Sequence, residues 1–102
     1  MDLGFEKAGF QHIESSDILE CAVQTLTTNR PAWSVVQCDV RDYSPKFRGE
    51  VDVLLGGFPC QGFSLGGHRN PHDSRNQLYK EVIRLAAELS PRIVVCENVL
   101  NL

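Results

Sequence analysis

The stretch Val51-Asp-Val-Leu-Leu-Gly-Gly57 is a short apolar run that stops at two glycines, and a parallel α/β fold follows from where that run sits. Such a run, bounded by turn residues, reads as a strand over 51–56 leading into a Gly-rich loop. A second run of the same kind, Arg92-Ile-Val-Val-Cys96, predicts a strand over 92–96 that ends at Glu97. Between them Leu78, Val82, Leu85, Ala86 and Leu89 recur at helical spacing, which predicts a helix over 75–89, capped by Asp73 or Ser74 and stopped by Ser90-Pro91. Upstream the alternation repeats. Leu3–Ala8 reads as a short helix ending at Gly9, 10–15 as a strand, and 17–29 as a helix with the face Ile18, Leu19, Ala22, Val23 and Leu26, closed before Pro31. Trp33-Ser-Val-Val-Gln-Cys38 reads as a strand over 33–38 ending at Asp39. Strand and helix in turn are the pattern of a parallel sheet flanked by helices, so the fold class is α/β and Rossmann-like.

Composition narrows the alternatives. The chain has 102 residues, 10 Lys and Arg, 13 Asp and Glu, and a net charge of −3, which suits one globular domain at most, spanning residues 1–102. It carries neither an apolar run of membrane-spanning length nor a basic, hydrophobic leader, so a secreted protein is not expected. The four Cys, at 21, 38, 60 and 96, form no Cys-x-x-Cys pair, which argues against a structural metal site and for reduced thiols. Cys21, Cys38 and Cys96 read as small buried hydrophobes. Residues 1–59 hold 5 basic and 9 acidic side chains and residues 60–102 hold 5 and 4, so the chain lacks a general basic footprint for nucleic acid.

In parallel sheets of this kind ligands bind beyond the carboxyl ends of the strands. The residues there are Ser16-Asp17, Asp39-Val40, Gly57-Phe-Pro-Cys60 and Glu97-Asn98. Asp17 has two readings: a carboxylate accepting both hydroxyls of a ribose, or a helix N-cap. Cys60 lies in Gly56-Gly-Phe-Pro-Cys-Gln-Gly-Phe-Ser64, where glycines allow close backbone approach and Pro59 fixes the turn that presents a nucleophilic thiol. Glu97 would emerge at the same sheet edge, where a carboxyl can hold and deliver a proton; by residue type alone a solvated surface group is the commoner outcome.

These segments together resemble the DNA cytosine-5 methyltransferases. Gly56-Gly-Phe-Pro-Cys-Gln-Gly-Phe-Ser64 resembles the family's nucleophile loop, with Phe58 in place of a frequent proline, and Glu97-Asn-Val99 resembles its second catalytic motif. Asp17-Ile18, Asp39-Val40 and Asp73-Ser-Arg-Asn-Gln-Leu78 resemble weaker motifs in the family's order. The resemblance implies S-adenosylmethionine as cofactor and double-stranded DNA as substrate, with a cytosine flipped out of the duplex. It implies Cys60 and Glu97 as catalytic residues, and Asp17, Ile18, Asp39, Val40, Pro59 and Leu78 around the cofactor. Gln61, Gly62, Ser64 and Asn98 would then face the substrate, and no metal takes part. Such an enzyme belongs to restriction-modification chemistry, cytoplasmic in a bacterium and nuclear in a eukaryote.

The resemblance covers the first third of a catalytic domain without its first strand. That strand and a Phe-x-Gly-x-Gly loop would precede Met1, while a Gln-x-Arg-x-Arg segment, a target-recognition domain and a closing helix would follow Leu102. In the sheet order 3-2-1-4-5 the first strand lies between 10–15 and 51–55, so the chain alone is expected to be marginally stable and inactive. Self-association or a complementing chain would cover the open sheet edges. The alternative is a non-catalytic piece or subunit of a split methyltransferase. A cysteine hydrolase is disfavoured, because His12, His68 and His72 have no catalytic motif around them.

Overall fold

The computed structural model describes residues 1–59 and 77–98, which fall into two compact units, Met1–Ser44 and Pro45–Leu102. Among the described residues no helix is long and apolar enough to cross a membrane.

In the first unit, α1 spans Asp2–Lys7, β1 Ser15–Asp17, α2 Glu20–Asn29 and β2 Val35–Gln37. Helix α1 has Asp2 in its first turn and Lys7 in its last, each at the end its charge favours. The chain then turns at Gly9, whose φ of +93° is open to glycine at little cost, and Phe10 comes back edge-on to Phe5 with ring centroids 5.1 Å apart. Strands β1 and β2 pair in parallel, with Ser15 opposite Val35 and Asp17 opposite Gln37.

Both strands are shorter than expected, and β1 lies further along the chain than 10–15. The cause is the turn in which Trp33 N–H donates to Arg30 O at 2.9 Å: it removes Trp33 from any ladder, so β2 starts at Val35 and its partner strand can start only at Ser15. Helix α2 also begins later than 17. Asp17 is the last residue of β1, and its Oδ1 accepts the Leu19 N–H at 2.8 Å, which leaves Leu19 extended at φ −83°, ψ 119°. Ile18 and Leu19 therefore lie outside the helical face and are 58% exposed each, whereas Ala22, Val23 and Leu26 are half-buried as expected.

A polar network ties α1 to this sheet. Glu6 accepts from Arg30 Nε and from Trp33 Nε1, and Ser15 Oγ donates to Asp2 at 2.8 Å.

The second unit contains β3, Val53–Gly56, α3, Tyr79–Leu89, and β4, Ile93–Cys96. Strands β3 and β4 run parallel, from Val53 opposite Ile93 to Gly56 opposite Cys96. The start of β3 is held because Asp52 O accepts both Arg92 N–H and Ile93 N–H. Leu85 and Leu89 of α3 are buried, at 6% and 5% exposure. The helix comes so close to the strand that a Cβ on Gly56 would lie 2.9 Å from a Val82 methyl, which is why the strand ends in glycine. Helix α3 closes at Ser90, in the left-handed region at φ 51°, and Pro91 prevents its continuation. It begins at Tyr79, with Leu78 as N-cap; the expected caps Asp73 and Ser74 lie outside the described residues.

The observed pairs β2–β1 and β3–β4 are the 3-2 and 4-5 neighbours of a doubly wound order, and both are parallel. The class is α/β, a partial Rossmann-like arrangement of parallel strands flanked by helices.

Candidate active site

The parallel pairing of β1 and β2 brings Asp17 and Asp39 to one carboxyl edge. Cys38 N–H donates to Asp17 O at 3.0 Å, so Asp39 follows directly on the last rung of the pair. Asp17 is half-buried; its Oδ1 is taken by Leu19 N–H, and among the described residues its Oδ2 accepts nothing. Asp17 is not the N-cap of α2, a position held by Leu19; its Oδ1 bonds the Leu19 N–H just ahead of the helix, and its Oδ2 lies beside the exposed Ile18. A carboxylate oxygen next to an exposed aliphatic side chain suits a ribose hydroxyl and the flat ring attached to it.

Asp39 is differently placed. Its Oδ1 accepts from the Arg41 backbone N–H at 3.0 Å and from Arg41 Nε at 2.9 Å, and its Oδ2 accepts from the Arg41 terminal nitrogen. These bonds hold the Asp39 carboxyl down at about 2. Val40, beside it, is half-buried. Sequence reasoning missed Arg41, although the Asp-x-Arg spacing, which lets an arginine fold back over a carboxylate two residues earlier, is readable in the chain.

In the second unit the strand ends also share an edge. Glu97 N–H donates to Gly56 O at 3.0 Å, one rung beyond the ladder, and Asn98 Nδ2–H donates to Phe58 O at 3.1 Å. The Phe58-Pro59 turn and Glu97 therefore leave β3 and β4 side by side in the same direction. Glu97 and Pro59 are exposed, and Leu78 is half-buried at the start of α3. An apolar groove of about 360 Å³ lies between α3 and β4, lined by Phe58, Tyr79, Val82, Ile83, Val94 and Cys96 among others. Cys60, Gln61, Gly62 and Ser64 lie outside the described residues.

The other thiols are more accessible than expected. Cys21 sits on the outer face of α2 and Cys96 at the end of β4, both exposed, and Cys38 is half-buried. Burial and the nearby carboxylates of Glu14, Asp39 and Asp42 push the Cys38 thiol up, away from reactivity.

His12 donates from Nε2 to Ser15 Oγ at 2.7 Å and stacks on Trp33 at 4.0 Å. Asp2, Ser15 and His12 share residue types with a hydrolytic triad but not its order. The serine proton goes to Asp2, so the imidazole is a donor to Ser15 and cannot act as its base.

Two parallel strand pairs flanked by helices, one ending in Asp17 and Asp39 and the other in the Phe58-Pro59 turn and Glu97, define an α/β protein. The chain belongs to the C-5 cytosine-specific DNA methylase family, whose model matches residues 1–102. It is 45% identical over 105 residues to the type II methyltransferase M.Eco47II of Escherichia coli, covering 100% of this chain and 25% of that protein. Against M.NgoMIV of Neisseria gonorrhoeae identity is 42% over 100 residues, covering 98% and 32%, and against M.PspPI of a Psychrobacter species it is 38% over 102 residues, covering 98% and 24%. The chain thus spans about a quarter to a third of the length of these curated relatives.

Proposed function

We propose that these residues form the nucleophile and cofactor edges of a DNA cytosine-5 methyltransferase. The observation that carries the reading is the side-by-side exit of the Phe58-Pro59 turn and Glu97 from neighbouring parallel strands, held by the Glu97 N–H to Gly56 O bond. It supports a thiol, one residue beyond Pro59, acting on the same base as the Glu97 carboxyl.

Cytosine is electron-poor at C6. The Cys60 thiolate adds there, forming a carbon–sulfur bond and moving an electron pair toward C5. Glu97, at N3 and the exocyclic amine, stabilises the charge that builds on the ring during addition. Gln61, Gly62 and Ser64 are assigned to the flipped base by the family motif they belong to. S-adenosylmethionine, when bound, supplies the methyl group that C5 takes. Loss of the C5 proton to solvent water then restores the ring double bond and expels the Cys60 thiolate, so the nucleophile is regenerated.

Asp17 and Ile18 fit the cofactor's nucleoside: Oδ2 is open to a ribose hydroxyl and the isoleucine side chain to the adenine face. Asp39 would accept the adenine amine only by sharing its oxygens with Arg41. Val40, Pro59 and Leu78 contribute contact area around the same ligand. The 102 residues alone are inactive in this reading; methyl transfer requires further sheet and recognition residues, from the same protein or from a complementing chain. The enzyme works where the cell keeps its DNA, in the cytoplasm of a bacterium.

Covalent trapping tests the reading. On DNA carrying 5-fluorocytosine the ring keeps fluorine where a proton would leave, so the completed enzyme stays bonded to the base through Cys60. Cys60→Ser removes that bond.

A further inference from the structure

The chain leaves β2 at Asp39 and makes two successive turns, with Asp42 N–H donating to Asp39 O at 2.9 Å and Tyr43 N–H to Val40 O at 3.3 Å. Two such bonds at an exposed stretch, Arg41 and Asp42, hold a turn only weakly, because so short a piece costs more in backbone order than its bonds return. Tyr43 anchors it. The Tyr43 hydroxyl donates to Glu14 Oε1 at 2.5 Å, 29 residues back in sequence, and Ser34 Oγ donates to Glu14 Oε2 at 3.0 Å, so both carboxylate oxygens are held. Glu14 and Ser34 come just ahead of β1 and β2 and flank the first rung of the pair, where Ser15 N–H donates to Ser34 O at 3.0 Å. The turn that starts at the carboxyl edge is thus pinned to the amino end of the same two strands. Tyr43 and Glu14 are both half-buried, and a hydroxyl bonded to a carboxylate is among the stronger hydrogen bonds. Burial and the Glu14 carboxylate push the Tyr43 phenol up, so it stays a donor at ordinary pH.

We propose that Tyr43 is a positioning residue: its hydroxyl on Glu14 holds the 39–43 turn to the strand pair and so keeps Asp39 and Val40 where they meet a nucleoside at the carboxyl edge beside Asp17. That a nucleoside binds there rests on the cofactor reading given above; the pin itself stands on the Tyr43–Glu14–Ser34 bonds. Tyr43 acts through Asp39 and Val40 and not on the ligand.

The test uses the full 102-residue chain with Tyr43→Phe, with Glu14→Ala, with both together, and with Glu14→Gln, whose amide oxygen can still accept from the phenol. Hydrogen exchange is read by NMR at the Asp42 and Tyr43 amides of the turn and at the Ser15 and Cys38 amides of the strand pair. Affinity for adenosine is read in the same samples from the shifts of the Asp39 and Val40 amides. In Tyr43→Phe the turn amides exchange faster by about tenfold or more, while the strand amides keep their protection. Glu14→Ala gives the same change, the double variant adds little to either alone, and Glu14→Gln keeps the turn. Adenosine binds at least about threefold more weakly to Tyr43→Phe and Glu14→Ala than to wild type, since the turn must then be ordered on binding. Turn amides as protected in Tyr43→Phe as in wild type would overturn the proposal, as would equal adenosine affinity. So would turn and strand amides losing protection together, or loss of cooperative melting, which would make Tyr43 a general stability residue. Asp39 and Val40 amides that do not shift with adenosine in wild type would count against the cofactor reading. The exchange comparison contains no adenosine and decides separately whether Tyr43 holds the turn.

Discussion

Arg41 occupies both carboxylate oxygens of Asp39 and holds that acid at about 2, below the ordinary value of about 3.9. Carboxyl-carbon NMR of wild type should show Asp39 titrating near 2, and Arg41→Ala should bring it back toward about 4. A shift of this direction means that whatever stability the pair gives is present above the unfolded value and fades as pH falls through about 2. Because the pair lies at the surface, the variant should leave the melting temperature at pH 7 nearly unchanged. His12 acts in the same direction but in a higher pH range. Among the described residues its Nδ1 is buried without a partner while Nε2 donates to Ser15, which favours the neutral ring, and burial lowers its pKa against the opposing pull of Asp2, Glu6 and Glu14. The unfolded chain then takes up a proton first. Stability is complete above about 6.5 and declines as pH falls below it. Thermal melts at pH 7.5 and 5.5 should differ in that direction, and His12→Gln, which can still donate to Ser15, should narrow the difference. At this scale residue types were legible and so was the local Asp39-x-Arg41 spacing, but the exposure of Cys21 and Cys96 was not, because it depends on which way each element faces.

Gly56 shows how an element boundary and a packing contact can be the same residue. A methyl group there would meet Val82 at 2.9 Å, so Gly56→Ala should destabilise the second unit by about 1–3 kcal/mol in denaturant melts. Adding Val82→Ala should return part of that loss, since the two changes act on one contact. The number and kind of elements were legible because apolar spacing at 53–55, 93–95 and along Val82, Leu85, Ala86 and Leu89 is dictated by burial. The starts of β1, β2 and α2 were not. They are set by the Arg30–Trp33 turn and by the Asp17 side chain bonding Leu19, contacts that periodicity does not encode. Leu85, buried in α3, should cost about 2–5 kcal/mol when cut to alanine, a large share of a small domain's stability of about 5–15 kcal/mol.

Over the whole chain, two parallel strand pairs, each with its own helices, present acids at one carboxyl edge and a Pro59 turn beside Glu97 at another. That the chain would be α/β and would carry this family's motifs was readable from strand ends in order, because the chemistry at those ends needs particular residues. The contacts made at each edge were not, because a meeting such as Asn98 with Phe58 O, 40 residues apart, is set by the fold and not by spacing. The chain spans about a quarter to a third of its relatives' length, and methyl transfer is proposed for the completed assembly. Methyl-transfer assays on the 102 residues alone should accordingly show no turnover. The most direct test grafts these residues into a curated relative in place of its own matching segment and exposes the product to duplex DNA carrying 5-fluorocytosine. The expected result is a covalent protein–DNA adduct that disappears with Cys60→Ser. An adduct that survives that substitution, or methyl groups found on the exocyclic amine of ordinary cytosine, would contradict it.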